Sequence, residues 1–159
     1  MREIIFRGKR LDNGEWAEGY LYEHEPALVG IVSENDVPEP SKWFIARTAF
    51  ADWNMPRLSE FIEVDPSTVG QYTGLKDKNG KKIFEGDIVH ILGNQNVADW
   101  KSVNYNALIA FLDGGFCAID GTIEDHAFRR YALARMDFDL EVIGNVHDNP
   151  ELLKEEEQT

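Results

Sequence analysis

Three turn signals divide this chain and constrain its fold more than any other feature. They are Asn13-Gly14, Asn79-Gly80 and Asp113-Gly114-Gly115, and each lies between alternating or apolar runs. Two-residue hairpin turns need positive φ angles, which Asn, Asp and Gly adopt at low cost. Three such hairpins predict a mostly β fold.

Alternation of apolar and polar residues locates the strands of the N-terminal half. We predict strands at residues 2–10, 15–23, 27–32 and 61–64. In the second of these, Trp16, Tyr20 and Tyr22 share one face. This half is therefore predicted to be an antiparallel sheet.

The C-terminal half shows the same pattern with one interruption. It predicts strands at residues 69–73, 81–84, 88–92, 107–112, 116–119 and 140–146. One short helix is predicted over residues 122–135, since Thr122 can cap it and basic residues lie toward its end. The first five of these strands, which are short and joined by tight turns, favour a small barrel. The step Gly86-Asp87 into an apolar strand also occurs in SH3-like barrels, an analogy that concerns the fold alone. The predicted class is β-rich α+β, an N-terminal antiparallel sheet followed by a small SH3-like β-barrel with one short helix.

A proline-containing break, Asp65-Pro66-Ser67, separates the two halves. Proline removes a backbone donor and restricts the residue before it. We therefore predict an N-terminal β-rich region over residues 1–66, a barrel region over residues 67–150 and a charged tail over residues 151–159.

Residues 35–56 lack periodicity and carry three prolines among large aromatic side chains. This mixture predicts an irregular segment pinned by aromatic anchors. The aromatic side chains can cap the core of a small sheet, or they can anchor a partner protein. Both interpretations stay open. The candidate partner-binding residues are Trp43, Phe44, Phe50 and Trp53.

The chain is acidic, with 16 basic and 29 acidic side chains and a net charge of -13. Such a charge repels phosphate backbones and anionic membranes, so non-specific nucleic-acid binding is disfavoured. No apolar run approaches the ~20 residues of a membrane span, and the N-terminus lacks the apolar stretch of a signal peptide. We expect a cytoplasmic protein without a membrane partner.

No catalytic or metal-binding pattern can be read along the chain. Cys117, the single cysteine, lies in an apolar run and is predicted to be a buried, inert thiol. The four histidines lack zinc-ligand spacing, and the acidic residues between 113 and 141 lack calcium-loop spacing. We predict no catalytic residue, no metal and no cofactor. A metal-assisted hydrolase whose acids and histidine are assembled by folding stays the enzymatic alternative.

The segment around the second turn carries the strongest likeness to known sequences. Residues 71–89, QYTGLKDKNGKKIFEGDIV, resemble the characteristic segment of the YopX-like family of phage and prophage proteins. The ends, MREIIFR at residues 1–7 and EVIGNVHDNPELL at residues 141–153, are also similar to the two ends of that family. The resemblance implies a β-rich fold and a phage or prophage origin. It implies no activity and no functional residue.

Turn geometry and exposure account for the polar residues of this segment. We predict that Gly86 permits a backbone shape and that Asp87 caps neighbouring amides. Its basic residues could touch a phosphate backbone or an acidic partner, or could protect a sheet edge from unwanted pairing. They are Lys76, Lys78, Lys81 and Lys82.

Three functions follow from these observations. The leading hypothesis is a non-enzymatic phage or prophage accessory protein that binds a phage or host protein, or oligomerises with itself. The second is an acidic DNA mimic that occupies the DNA-binding surface of a host protein. The third is nucleic-acid binding by the barrel through the lysine-bearing hairpin.

Overall fold

The structure is a computed structural model, and it describes residues 3–25, 40–50, 58–94, 102–120, 129–133 and 139–153. Most of these residues lie in antiparallel strands, which confirms the predicted mostly β class. The strands are β1 (Phe6–Lys9), β2 (Trp16–His24), β3 (Lys42–Phe50), β4 (Leu58–Val64), β5 (Gly70–Lys76), β6 (Lys82–Phe84), β7 (Asp87–Asn94), β8 (Ser102–Leu112), β9 (Gly115–Asp120), β10 (Arg129–Ala132) and β11 (Asp139–Asn145). Short 3-10 helices lie at Pro66–Thr68 and Pro150–Leu153. Neither of these helices is long or apolar enough to cross a membrane, and the described residues contain no other candidate.

Residues Ile4–Gln71 form one compact unit. Its strands are hydrogen-bonded in the order β4-β3-β2-β1, and β1 also pairs with the first residues of β5. Side chains alternate between the two faces of each strand, so one face of the sheet supplies the core. The buried members of this core are Ala17, Ile45, Ile62 and Val64.

The described residues from Tyr72 onward form a second compact unit together with Glu3. β5 continues into a hairpin with β6, and the next strands form a sheet in the order β10-β9-β8-β7-β11. Its core draws on β6, β7, β8, β9 and β11 and on Leu133, which follows β10. The buried members are Ile83, Val89, Ile91, Ala107, Ile109, Ala118, Leu133 and Leu140.

The predicted SH3-like barrel is not confirmed. Within the described part of the second unit, β10 pairs with β9 and β11 pairs with β7, and these two outer strands do not pair with each other. The sheet is therefore open. Closure depends on the tilt and stagger of all the strands together, which strand lengths and turn residues do not reveal.

The predicted helix over residues 122–135 is wrong where the structure tests it. Residues Arg129–Ala132 are strand β10, and they pair with residues Cys117 to Asp120 of β9. The rest of the predicted helix, apart from Leu133, lies outside the described residues. Pairing with an available strand edge has outweighed a local helical pattern, as tertiary context commonly does.

The predicted irregular segment over residues 35–56 is also wrong in its described central part. Lys42–Phe50 is the nine-residue strand β3, which lies between β2 and β4. Prolines lie on both sides of this strand, so a stretch of sequence that includes them does not show the two-residue period of the strand itself. The strand predicted at residues 27–32 lies outside the described residues.

The chain passes between the two units at Gln71–Tyr72 within β5, and the predicted domain boundaries at residues 66 and 150 stay predictions.

Candidate functional site

The two described residues of the predicted partner-binding set lie on opposite faces of β3. Trp43 is half-buried and packs against the core of the N-terminal unit. Phe44 faces the other way, and its ring centroid lies 6.4 Å from that of Tyr22. The side chain of Phe50 and the whole of Trp53 lie outside the described residues. Trp43 therefore packs against the core, whereas Phe44 lies on the opposite face of the sheet. Partner binding by these residues stays a prediction.

Phe44 belongs to a cluster of aromatic side chains on the outside of β2, β3 and β4, which we call the outer aromatic face. Its members are Tyr20, Tyr22, Phe44 and Phe61. Tyr20 is 67% exposed, Phe61 57% and Tyr22 48%, whereas Phe44 is half-buried. Three strands therefore present a contiguous aromatic surface to solvent.

Strand register brings these rings together. Tyr22 lies opposite Phe44, while Ala46 lies opposite both Tyr20 on β2 and Phe61 on β4. Because the side chain of Ala46 is small, it leaves room on β3 between the rings of Tyr20 and Phe61. The ring of Phe61 meets that of Tyr22 edge-on, with 5.9 Å between the two ring centroids. Edge-on ring pairs at this separation are a favourable arrangement. The face is thus held in a defined shape by its own contacts.

A groove of about 340 Å³ opens beside this face. One wall is the turn segment Arg10 to Asp12, and the other is β4 from Glu60 to Glu63. Leu11 is 60% exposed at its rim. The groove therefore has an apolar rim, and its lining includes three carboxylates, those of Asp12, Glu60 and Glu63.

The hairpin of residues 71–89 is built around a buried carboxylate. Oδ1 of Asp77 accepts hydrogen bonds of 2.8 Å from the backbone amides of Asn79 and Lys81, and Oδ2 accepts one of 3.1 Å from the amide of Val142. Burial acts to raise the pKa of Asp77, but these backbone donors outweigh it and leave the pKa below its ordinary value. Such a carboxylate holds structure and stays ionised at neutral pH.

The lysines of this hairpin are partly engaged with neighbouring side chains. Lys78 Nζ lies 2.6 Å from Glu141 Oε2, and this contact raises the pKa of Lys78 and lowers that of Glu141. Lys82 Nζ lies 5.6 Å from the ring centroid of Tyr72, within cation–π range. Two of the four lysines therefore contact neighbouring side chains, and Lys76, Lys78 and Lys81 are exposed.

The structural interpretation of Gly86 and Asp87 is confirmed. Gly86 has a φ of +81°, a region that favours glycine, and its N–H donates to Ile109 while its carbonyl accepts from Val146. The Oδ2 atom of buried Asp87 accepts a 2.7 Å hydrogen bond from the amide of Phe84. These residues shape the entry into β7.

The described residues contain no cluster of three or more His, Cys, Asp or Glu side chains that could hold a metal ion. His90 is hydrogen-bonded through Nδ1 to Oδ1 of Asn106 at 2.9 Å, and Asn106 in turn donates to the carbonyl of Leu152. Cys117 is buried, as predicted. His126 lies outside the described residues.

Comparison with known proteins agrees with the resemblance of residues 71–89. The model of the YopX protein family matches residues 32–154. The chain belongs to the YopX family. No curated protein matches this YopX-family chain. Among solved structures, it is similar to protein EF1440 from Enterococcus faecalis, with 27% sequence identity, coverage of 97% of this chain and 100% of that chain, and a TM-score of 0.47.

The sequence missed part of the outer aromatic face. The shared face of Tyr20 and Tyr22 is readable from the two-residue period of β2. The sequence predicts a strand at Phe61 but does not indicate that its ring meets Tyr22, because the two residues lie on strands that are separated by β3. Only the register of three strands joins them.

Proposed function

We propose that this YopX-family protein is a non-enzymatic accessory module of a phage or prophage, and that it binds another protein through the outer aromatic face. The observation that carries this proposal is the exposure of Tyr20, Tyr22 and Phe61 on one side of one sheet. Isolated apolar side chains on a surface need no explanation, but a contiguous group is typical of an interaction site.

The chemistry of these side chains suits a protein interface. Tyrosine and phenylalanine bury a large area at a low cost in side-chain entropy, and the tyrosine hydroxyl can keep a hydrogen bond while its ring is covered. The ring contacts of Tyr22 with Phe44 and Phe61 order this surface before any partner arrives. Order of this kind lowers the entropy cost of binding.

Self-association is the second use that the same face supports. A sheet face shared by two copies would form an isologous interface, in which the aromatic rings of one copy cover those of the other. Sedimentation velocity over a range of protein concentrations distinguishes this arrangement from a monomer that binds a different protein.

The DNA-mimic alternative draws support from the net charge of -13. Such a mimic needs a continuous acidic surface. The described carboxylates are in part paired with bases instead, as in Arg10–Asp12, Arg47–Glu60 and Lys78–Glu141. These pairs favour the protein-binding function over the mimic.

Direct nucleic-acid binding through the lysine-bearing hairpin is tested by low-salt gel shifts with DNA and RNA, where unchanged mobility excludes it.

Site-specific photo-cross-linking tests the leading function. A benzophenone-bearing phenylalanine analogue is placed at Tyr20 or Phe61 and, as a matched control, at Phe111, which is 49% exposed in the second unit. In bacteria with an induced prophage, positions 20 and 61 are expected to give one discrete protein adduct that position 111 does not give. Absence of adducts, or equal adducts at all three positions, overturns the proposal.

A further inference from the structure

One edge of β4 is hydrogen-bonded to a neighbouring segment over only part of its length. On one side β4 pairs with β3. On the other side, the N–H of Leu11 donates to the carbonyl of Glu63 at 3.1 Å, and the N–H of Asp65 donates to the carbonyl of Lys9 at 2.8 Å. Beyond these two bonds, no described strand pairs with this edge.

These hydrogen bonds fix the direction of the backbone groups along β4. The carbonyl of Glu63 points away from β3, and groups on a strand alternate in direction from one residue to the next. The N–H and C=O of Phe61 therefore also point to the edge, away from β3. This edge presents the donor and acceptor that an added strand requires.

The groove lies beside this edge. The segment Arg10 to Asp12 lines the groove opposite residues 60–63 of β4, next to the hydrogen bond between Leu11 and Glu63. Exposed Leu11 and exposed Phe61 line it from the two sides. The groove therefore offers hydrogen bonds along one wall and apolar contact from both.

The lining of the groove carries more acidic than basic side chains. One basic side chain, Arg10, and the carboxylates of Asp12, Glu60 and Glu63 line it. Arg10 is neutralised by two hydrogen bonds to Asp12, of 2.8 and 2.6 Å, and Glu60 is paired with Arg47. The Glu63 carboxylate has no hydrogen-bond or ion-pair partner among the residues that the structure describes. The lining thus favours a cationic ligand.

We propose that this groove binds an extended peptide segment of a partner protein, with alternating basic and apolar side chains, which joins the sheet as an additional strand at β4. Main-chain hydrogen bonds from the Phe61 edge supply affinity, Leu11 and Phe61 cover the apolar side chains, and Glu63 pairs with a basic one. This inference rests on the proposed protein-binding function and names the chemistry of the partner.

Backbone methylation of a probe peptide separates strand addition from general attraction to an acidic chain. The probe is a fluorescent peptide of about eight residues in which Lys and Val alternate, the length of an ordinary strand. Two further versions carry N-methyl groups on one or the other alternating set of amides and keep the same charge. Binding to the full chain is measured by fluorescence anisotropy.

Strand addition predicts an unequal effect of the two methylated peptides. The version whose methyl groups replace the donors facing β4 is expected to bind about tenfold more weakly than the parent, while the other keeps its affinity. Equal affinity of all three peptides, or no binding of the parent, overturns the inference. Because the changes are in the peptide, protein folding does not affect this comparison.

A pair of protein variants tests the charge assignment. Glu63→Gln is expected to weaken binding of the parent peptide severalfold at low salt, while Glu25→Gln, an exposed carboxylate in the same unit, leaves it unchanged. Equal affinities of the two variants for the peptide contradict the role of Glu63.

The outcome is distinguishable from failure of the proposed function. Cross-links from Tyr20 together with equal binding of the three peptides overturn strand addition and retain the outer aromatic face as a docking surface. Unequal peptide binding without cross-links from Tyr20 retains strand addition and overturns that face as the docking surface.

Discussion

Oδ2 of Asp77 accepts a hydrogen bond of 3.1 Å from the backbone amide of Val142, 65 positions further along the chain. The other oxygen of the same carboxylate closes the turn between β5 and β6. One side chain therefore shapes the hairpin locally and fixes β11 beside it. The burial and the hydrogen bonds of Asp77 therefore have a structural explanation within the second unit.

Replacement of this carboxylate is expected to destabilise the fold. In Asp77→Asn, an amide group faces backbone donors that need an acceptor, and a buried donor is left unsatisfied. The free energy of unfolding should fall by about 2 kcal/mol. Urea denaturation followed by circular dichroism measures this, and Glu25→Gln, an exposed acid-to-amide change, should leave the unfolding curve unchanged.

The same carboxylate predicts a pH dependence. Because the folded protein holds the pKa of Asp77 below its unfolded value, its stabilising effect is complete above that unfolded value and is lost as pH falls through the folded one. The stability difference between wild type and Asp77→Asn should be full at neutral pH and shrink below about pH 4. A difference that stays constant down to about pH 3 would contradict this assignment.

A glycine with a left-handed backbone predicts a local cost. Gly86 has a φ of +81°, and an added Cβ would meet its nearest neighbour at 3.7 Å, so strain and not crowding sets the penalty. Gly86→Ala should lower the free energy of unfolding by about 1–2 kcal/mol. Gly115→Ala, where an added Cβ has open space and the backbone is not left-handed, should change it by less than about 0.5 kcal/mol.

Opposite faces of the N-terminal sheet should respond differently to truncation. Ile45 is fully buried and Tyr20 is 67% exposed. Ile45→Ala is expected to cost about 2–5 kcal/mol of unfolding free energy, and Tyr20→Ala less than about 0.5 kcal/mol. Comparable losses measured by chemical denaturation would place Tyr20 in the core and remove it from the outer aromatic face.

Asn106 is expected to hold the last 3-10 helix on β8. It donates a 2.9 Å hydrogen bond to the carbonyl of Leu152 and is itself bonded to His90. Asn106→Ala should speed hydrogen exchange at the amide of Leu152, while Asn104→Ala, an exposed asparagine on the same strand, should not. Equal exchange rates in the two variants would rule out this tether.

Much of the local structure was predictable because single residues encode it. The turn residues Gly14, Gly80 and Gly114 all have positive φ, and each joins two neighbouring antiparallel strands. The two-residue period of the neighbouring sequence predicts the strands around them, and it also predicts the shared face of Tyr20 and Tyr22.

The candidate site was only partly predictable. The sequence pointed to the aromatic residues around β3, but it did not show that Trp43 faces the core while Phe44 faces outward, since the strand itself was missed. The contribution of Phe61 and the groove at β4 depend on which strands become neighbours. That order is not encoded in either strand alone.

The sequence by itself determined the β class, the hairpin turns and the family, because a required φ angle or a two-residue period is a property of a few adjacent positions. The tertiary structure decided that residues 129–132 pair with β9, that the second sheet is open in its described part, and that Asp77 binds the amide of Val142. Strand pairing and the burial of a carboxylate are settled by residues tens of positions away, which compete for the same edges and the same hydrogen bonds.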